Sequence, residues 1–462
     1  MGTGNGLNTT IVAIASPPGR GAVAVIRMTG PLALKIYEKI FDTAEKGKGE
    51  ERKAVHGWLL DSENDKIIDE VIAVVYKRPR SYTGEDLVEF FTHGGLFHTR
   101  NIYQFICRQG AHPARPGEFT KRAFLNGKMD LTRAEAVEEI VSATDRHTHE
   151  AALRQLEGVF HSVLDGWKNS LVEILSSLEA HIEYPEENND KIDRKGMAHR
   201  CMMIAEEINE ISVKMVAGRV FKQRPRVVIV GKTNTGKSSL FNTLIGQARS
   251  IVSDEQGTTR DVVHEKTEIG GIPVDLYDTA GFKNPETSTE EQALGFTNRF
   301  LEESDLLLVL LDFGDVLDEQ DRKLLEVMIK KGKKSLICLN KTDLPKKISE
   351  KELENMVKGY DSIHISLKEG EGIDRLNEKV REFFVCEDLD PGPVVYSERY
   401  VVLFNRMKAL LEKTSEGFLS EEKMDVLSIQ LKEAVSVVED FTGKVTSEDV
   451  LDNLFSRFCL GK

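Results

Sequence analysis

The sequence predicts a multidomain chain: an α+β N-terminal domain, an all-α helical domain, and an α/β phosphate-loop domain inserted into the helical one. Three observations predict it. The 462 residues exceed what one ordinary core holds, which argues for about three domains. The hydrophobic pattern changes style twice along the chain, from β-rich pieces to a helical period and then to strand-like runs alternating with helical ones. Helix-period sequence then returns after the last strand-like run, so the helical domain takes segments from both sides of the alternating one. The expected boundaries are 1–127, 128–217, 218–386 and 387–462.

The first part carries β-rich runs at Ile11–Ala15, Ala22–Met28, Glu70–Tyr76 and Leu87–Phe91, with helical stretches between them. Gly and Pro punctuate it at Pro17–Gly19, Gly94–Gly95 and Pro116–Gly117, as turns require. From about Met129 the period lengthens. Leu153, Leu156, Phe160, Val163, Trp167, Leu171, Ile174, Leu178 and Ile182 recur at steps of three or four, an apolar stripe on one long helix that packs as core. Pro185 ends it, Glu186–Asp190 reads as a loop, and a further helix reaches about Val216. The third part alternates: Val227–Val230, Val274–Tyr277, Leu306–Leu311, Ser335–Leu339 and Ser362–Ile365 are the strand-like runs of a mainly parallel sheet flanked by helices. After Pro391–Pro393 the helical period resumes to Lys462.

Composition narrows the function. Hydrophobic residues at 40% and charged residues at 30% are globular proportions. No apolar run approaches the ~20 residues of a membrane span, and Ile11–Ala15 is too short for a signal peptide, so a cytoplasmic location and no membrane partner are expected. Five scattered cysteines without a CxxC pair argue against a disulfide framework or zinc site and suit a reducing compartment. The net charge of −14 argues against a nonspecific nucleic-acid binder. Two local basic groups stand out, Lys77, Arg78 and Arg80, then Arg115, Lys121, Arg122 and Lys128; on charge alone both read as solvated surface.

The chemistry sits in the third part. Val227–Val230 leads into Gly231-Lys232-Thr233-Asn234-Thr235-Gly236-Lys237-Ser238 and then into helix-compatible Ser239–Ile245. This is GxxxxGK[ST] in its strand–loop–helix context. Glycines let backbone N–H groups wrap phosphate oxygens at a helix start. Lys237 supplies charge to the β- and γ-phosphates, and the Ser238 hydroxyl suits Mg²⁺. Asp278-Thr279-Ala280-Gly281 follows the Val274–Tyr277 run, placing a carboxylate for the Mg²⁺ shell and the Gly281 N–H to sense the γ-phosphate. Asn340-Lys341-Thr342-Asp343 follows Ser335–Leu339; Asp343 can accept from guanine N1–H and the exocyclic amine, which adenine cannot offer together. Ser366-Leu367-Lys368 stands where a last base-contacting loop is expected, and Gly257-Thr258-Thr259-Arg260-Asp261 is a switch-like segment with Thr259 as a Mg²⁺ candidate.

Four motifs in this order, each after a strand, resemble the small GTPases, which implies a Ras-like G domain that binds and hydrolyses GTP with Mg²⁺. Leu367 departs from the alanine usual there. Phe282 stands where Ras-like enzymes carry a water-orienting glutamine and cannot do that work. Asn234 and the 257–261 segment resemble those of the potassium-activated TrmE-Era-EngA-YihA-Septin-like GTPases, in which face-to-face G domains enclose K⁺ beside the phosphates. That resemblance implies nucleotide contacts from Asn234, Thr235, Gly236, Lys237, Ser238 and Ser239, from Ser253, Asp254, Glu255, Gln256, Gly257, Thr258 and Thr259, and from Asp278, Thr279, Ala280 and Gly281. It implies K⁺ ligation by Asn234, Ser253, Glu255 and Thr258; the other reading of Asn234 is a turn former.

The flanks are more specific. They carry Pro17-Pro18-Gly19-Arg20-Gly21, Ile26-Arg27-Met28-Thr29-Gly30-Pro31, Ser81-Tyr82-Thr83-Gly84-Glu85-Asp86 and His93-Gly94-Gly95. They also carry Arg115-Pro116-Gly117-Glu118-Phe119-Thr120, Arg122-Ala123-Phe124-Leu125-Asn126-Gly127-Lys128-Met129-Asp130-Leu131 and the terminal Phe458-Cys459-Leu460-Gly461-Lys462. Together these resemble the MnmE (TrmE) family of tRNA modification GTPases over essentially the whole chain. The resemblance implies a homodimer that works with an FAD-containing partner, MnmG (GidA), in a heterotetramer or larger complex. That complex installs a carboxymethylaminomethyl or aminomethyl group at C5 of the wobble uridine of certain tRNAs, with GTP hydrolysis driving K⁺-dependent G-domain dimerisation. It implies a folate site, for a 5-formyl- or methylene-tetrahydrofolate, from Arg27, Glu89, Lys128 and Lys462, and a role in modification for Cys459, beside which no His or Asp stands in the sequence. The family's water-positioning glutamate matches Gln292 here, with Glu290 or Glu291 as substitutes after a shift; Gln292 could orient water but not act as a base. Lys237, Thr258, Thr259, Gly281, Glu291, Gln292 and Cys459 are therefore the catalytic candidates. A ribosome-assembly switch acting on rRNA is the alternative function; the G-domain motifs fit it equally, but no RNA-binding appendage with a GxxG loop accompanies them.

Overall fold

The computed structural model describes residues 8–44, 49–61, 64, 66–184, 192–248, 264–278, 303–385, 392–444 and 448–462. Two compact units divide the chain: 1–142, 152–209 and 397–462 form one, and 143–151 with 210–396 form the other.

In the first unit, β1 (Ile11–Ile14), β2 (Val23–Thr29), β3 (Phe41–Asp42), β4 (Ala54–Asp61), β5 (Lys66–Tyr76), β6 (Leu87–His93) and β7 (His112–Pro113) make one sheet in the order β3-β4-β5-β6-β2-β1-β7. The pairs are antiparallel except β1 with β7. Side chains alternate across each strand. Ile26 and Met28 of β2, Val71, Ala73 and Val75 of β5, and Val88 and Phe90 of β6 face a core closed by helices Ala33–Ile40 and Leu96–Arg108. Arg27 and Glu89 fall between those buried positions and are direct partners in the β2–β6 register, so they share the opposite face.

Arg122 is a correction to the sequence reading. It is not part of a solvated basic face; its side chain is 2% exposed and bonds Thr9 O at 2.7 Å, Glu85 at 3.1 Å and Glu118 at 2.8 Å. The i, i+4 spacing of Glu118 and Arg122 on helix Glu118–Leu125 turns the guanidinium toward the loop carrying Glu85. Lys121 is likewise paired, with Asp452.

The helical part corrects a second expectation. The stripe from Leu153 to Ile182 is carried by two helices, Arg146–Glu157 and Val159–Glu183, separated at Gly158 with φ of 93°. Leu153 and Leu156 are exposed, whereas Phe160, Trp167, Leu171, Ile174 and Leu178 are buried. Glycine adopts this left-handed conformation without the Cβ penalty, so the break falls there. Helices Glu398–Leu419 and Met424–Thr442, from beyond the inserted domain, complete the packing. Phe160 lies 5.7 Å from both Tyr400 and Phe441, and Phe404 lies 5.1 Å from Phe441. An ion pair closes the seam: Arg399 donates to Glu135 at 3.0 and 2.8 Å and to the carbonyls of Asp440 and Phe441, while the buried Tyr400 hydroxyl donates to the same Glu135.

In the second unit, β8 (Arg226–Val230), β9 (His264–Ile269), β10 (Ile272–Asp278), β11 (Leu306–Asp312), β12 (Ser335–Asn340) and β13 (Asp361–His364) form a sheet in the order β13-β12-β11-β8-β10-β9. It is parallel except for the β9–β10 edge pair. Strand β11 reads as an unbroken apolar run because both its faces are covered: Leu306, Leu308 and Leu310 enter one core, Leu307, Val309 and Leu311 the other.

Breaking the Glu135–Arg399 pair leaves a carboxylate with its charge partner gone. Both side chains are partly exposed, so Arg399→Met should cost about 2 kcal/mol, between a surface pair and a fully buried one. Chemical denaturation followed by tryptophan fluorescence checks this; a loss below about 1 kcal/mol, as for a surface pair, would contradict it.

Candidate nucleotide-binding site

Strand β8 ends at Val230 and the chain turns through 231–236 into helix Lys237–Ala248. Two glycines are required in that turn. Gly231 has φ of 155°, and a Cβ there would meet Leu310 O at 2.5 Å; Gly236 has φ of 103°, and a Cβ there would strike the Asn340 amide. Asn234 stands between them with φ of 65°, a left-handed conformation that asparagine tolerates. The loop forms one wall of a cavity of about 1050 Å³, with Asn340, Lys341, Asp343, Leu367 and Lys368 on the other side.

Hydrogen bonds fix the loop from within. Lys237 Nζ donates to Gly231 O at 2.9 Å and to Lys232 O at 2.7 Å, and Thr235 Oγ1 donates to Lys232 O at 3.0 Å. Asn340, at the end of β12, donates from Nδ2 to Thr235 O at 2.7 Å and accepts from Leu367 N at 3.3 Å. Asparagine thus spans the phosphate loop and the base loop with one amide, which needs both its donor and its acceptor. Leu367 contributes through its backbone, so the departure from alanine leaves this contact intact. Ser366 Oγ donates to Asp343 Oδ1 at 2.9 Å, Lys368 Nζ stands 3.8 Å from Asp343 Oδ2, and Lys341 is braced on Asp312 at 2.6 Å. At the end of β10, Asp278 Oδ2 accepts from Ser238 Oγ at 3.0 Å. A hydroxyl and a carboxylate side by side at a helix start are the hard oxygen donors that Mg²⁺ takes, so these residues fit that ion.

Sequence reasoning missed one group. Lys232 Nζ lies 3.2 Å from Asp315, 3.1 Å from Asp318 and 3.1 Å from Asp321. Burial alone would lower its amine pKa; the three carboxylates outweigh burial and hold it well above the usual lysine range. Asp318 also caps helix Glu319–Lys330, in a reciprocal capping box with Asp321. The signal available in the sequence was the three-residue spacing of these aspartates just after a strand. The consequence is positional: Lys232 offers the carbonyl on which both Lys237 and Thr235 rest.

Not every expected site residue can be placed. Ser253, Asp254, Glu255, Gln256, Gly257, Thr258 and Thr259, together with Thr279, Ala280, Gly281, Phe282, Glu290, Glu291 and Gln292, lie outside the described residues. Ser239 is exposed at the helix start and lines the cavity.

A second polar group lies in the other unit. Arg27 pairs with Glu89 at 2.8 Å, donates to Gly461 O at 3.2 Å, and has its guanidinium 5.6 Å from the Tyr82 ring centre. Burial and the nearby Arg27 charge lower the Lys462 amine pKa. The tail is held by Phe119 N donating to Lys462 O at 3.3 Å and by Gly461 packing on Ala15, where a Cβ would fall 2.8 Å from the alanine Cα. Arg27, Glu89 and Lys462 therefore converge, with Cys459 exposed on the same tail. Lys128 instead donates to Pro79 O at 3.0 Å.

The Lys232 cluster makes a quantitative prediction. Lys232→Ala should raise the GTP Kd about tenfold, some 1.4 kcal/mol, and Lys232→Arg should recover most of it, read by titration calorimetry. A change below twofold in Lys232→Ala would contradict a positioning role for this residue.

The family profile for the TrmE N-terminus, described as a GTP-binding protein, matches residues 10–128, and that for the MnmE helical domain matches 131–459. The chain is 40% identical over 458 residues to a tRNA modification GTPase MnmE of Thermotoga sp. (strain RQ2), covering 98% of this chain and 100% of that protein. It is 35% identical over 461 residues to the protein of that name from Natranaerobius thermophilus, covering 98% and 99%. With that of Bacillus subtilis it shares 34% over 460 residues, covering 98% and 100%. A phosphate loop joined through Asn340 to a guanine-type base loop, on a chain matched from end to end, places this protein in the MnmE (TrmE) family of tRNA modification GTPases.

Proposed function

We propose that this GTPase acts on tRNA with a flavin-containing partner of the MnmG type, adding a carboxymethylaminomethyl or aminomethyl group at C5 of the wobble uridine. The observation that carries this reading is the likeness to tRNA modification GTPases over 98% of the chain, which includes the flanks as well as the G domain. The FAD belongs to the partner. The chain itself works as a homodimer, in the cytoplasm; among the described residues no helix is long and apolar enough to cross a membrane.

In the nucleotide site, Lys237 neutralises β- and γ-phosphate charge, and Asp343, oriented by Ser366, accepts from the guanine edge. Ser238 and Asp278, with Thr259, would hold Mg²⁺, which would withdraw charge from the phosphate oxygens. Thr258 and the Gly281 N–H complete the γ-phosphate contacts. Water attacks the γ-phosphorus while Gln292 or Glu291 orients it, and GDP leaves. Asn234, Ser253, Glu255 and Thr258 would hold K⁺, which would supply charge where other GTPases insert an arginine as two G domains pair. Asn234 is exposed and lines the cavity, which supports this role. In the N-terminal unit, Arg27 and Lys462 suit the glutamate tail of a tetrahydrofolate and Glu89 suits pterin N–H groups, with Lys128 at the edge.

Two experiments test the reading. Steady-state GTP hydrolysis should be at least tenfold faster in KCl than in matched NaCl, and Asn234→Gly should abolish the difference. Glycine is the right substitution because it keeps φ of 65° without strain. Equal rates in both salts would remove K⁺ from the mechanism. Deleting the gene should remove the C5 modification from wobble uridines in nucleoside mass spectrometry; unchanged tRNA would remove the tRNA function.

A further inference from the structure

We propose that the exposed cations around the loop of residues 77–80 form the surface that holds the phosphodiester backbone of the tRNA, at the rim of the Arg27–Glu89–Lys462 group. The identity of the RNA rests on the reading above; the location rests on the following geometry.

Strand β5 ends at Tyr76, whose hydroxyl donates to Glu89 Oε2 at 3.3 Å, so the next residues leave the sheet beside that polar group. Tyr82, at the far end of the same loop, lies against Arg27. Lys77, Arg78, Pro79 and Arg80 are all exposed. A second segment lies alongside: Arg52 N donates to Val75 O at 2.7 Å, which brings exposed Arg52 and Lys53 to the end of β5. A third contributes exposed Lys128, through its bond to Pro79 O. Cations from three separate parts of the chain thus meet at one loop.

The loop is braced, and two of its charges are uncommitted. Arg52 Nη2 donates to Arg80 O at 2.7 Å, Arg80 pairs with Glu51 at 2.6 Å, and Lys53 pairs with Glu50 at 3.0 Å. Arg78 is held by its backbone, N to Asp86 Oδ1 at 3.0 Å. Among the described residues no acidic group forms an ion pair with the Lys77 ammonium or the Arg78 guanidinium. The carboxylates of Glu50, Glu51 and Asp86 leave a positive surplus here, on a chain whose net charge is −14. Such a chain repels a polyanion over most of its surface, so a local surplus both attracts it and fixes where it lands.

Chemistry selects RNA over an acidic protein. A protein interface needs an apolar core, and this loop offers only Pro79. Phosphate contacts need only positioned cations, with arginine the best shaped for them. A backbone held on this loop would lie beside the group where Arg27, Glu89 and Lys462 meet.

The test is fluorescence anisotropy of the full chain with an unmodified tRNA transcript carrying uridine at the wobble position, across a salt series. Lys77→Glu combined with Arg78→Glu should raise Kd at least tenfold and reduce the slope of log Kd against log salt by about two, one per lost phosphate contact. GTP hydrolysis and the far-ultraviolet circular dichroism and thermal midpoint of the same variant should be unchanged, the latter two excluding misfolding of the N-terminal sheet. Wild-type affinity and slope in the variant would overturn the surface alone. Failure of the wild-type chain to bind the transcript even at low salt would overturn the tRNA reading and the surface with it.

Discussion

One backbone carbonyl organises the nucleotide site. Lys232 O receives both the Lys237 ammonium and the Thr235 hydroxyl, and the Lys232 side chain is clasped by three aspartates. From Thr235 the tie continues through Asn340 to Leu367 N. The loop after β8 and the loops carrying Asn340 and Leu367 are therefore one hydrogen-bonded assembly rather than loops that happen to be near. Thr235, Lys237 and Asn340 are buried and each has its hydrogen-bond partner, which rigidifies the assembly at its centre.

The N-terminal site depends on a different constraint, strand register. Arg27 faces Glu89 because β2 and β6 pair as they do. A one-residue slip would turn both side chains into the apolar core and bring Ile26 or Met28 out. The chain's last residues then close that site: Gly461 packs so tightly on Ala15 that no side chain fits, and its carbonyl takes the Arg27 guanidinium. The same unit contains helices from both sides of the inserted domain, joined by the aromatic cluster of Phe160, Tyr400, Phe404 and Phe441 and by the Glu135–Arg399 pair.

What the sequence made legible was local. Strand–loop–helix around Lys237, the Asp278 strand end and the Asn340–Asp343 turn are contiguous motifs, and each falls where its spacing predicts. Strands β4 and β9 went unseen. His56 and Trp58 blur the alternation of the first, and His264–Ile269 is an edge strand rich in charge. The apolar stripe runs past Gly158 without interruption in the sequence, and the left-handed conformation of that glycine breaks the helix. The Lys232 cluster joins residues more than eighty positions apart, so the spacing of the aspartates marks the group but not its lysine partner, and nothing in a linear pattern announces the burial of Arg122 by Thr9 and Glu85.

Guanine selectivity through Asp343 is the claim on which the rest stands, and equilibrium binding tests it most directly. The full chain and its Asp343→Asn variant would be titrated with GTP, ATP and xanthosine triphosphate. The natural chain should prefer GTP over ATP by about a thousandfold or more. The variant should lose GTP and gain xanthosine triphosphate, because asparagine presents a donor where aspartate accepted. Comparable affinity for GTP and ATP, or a variant that still prefers GTP, would contradict the claim.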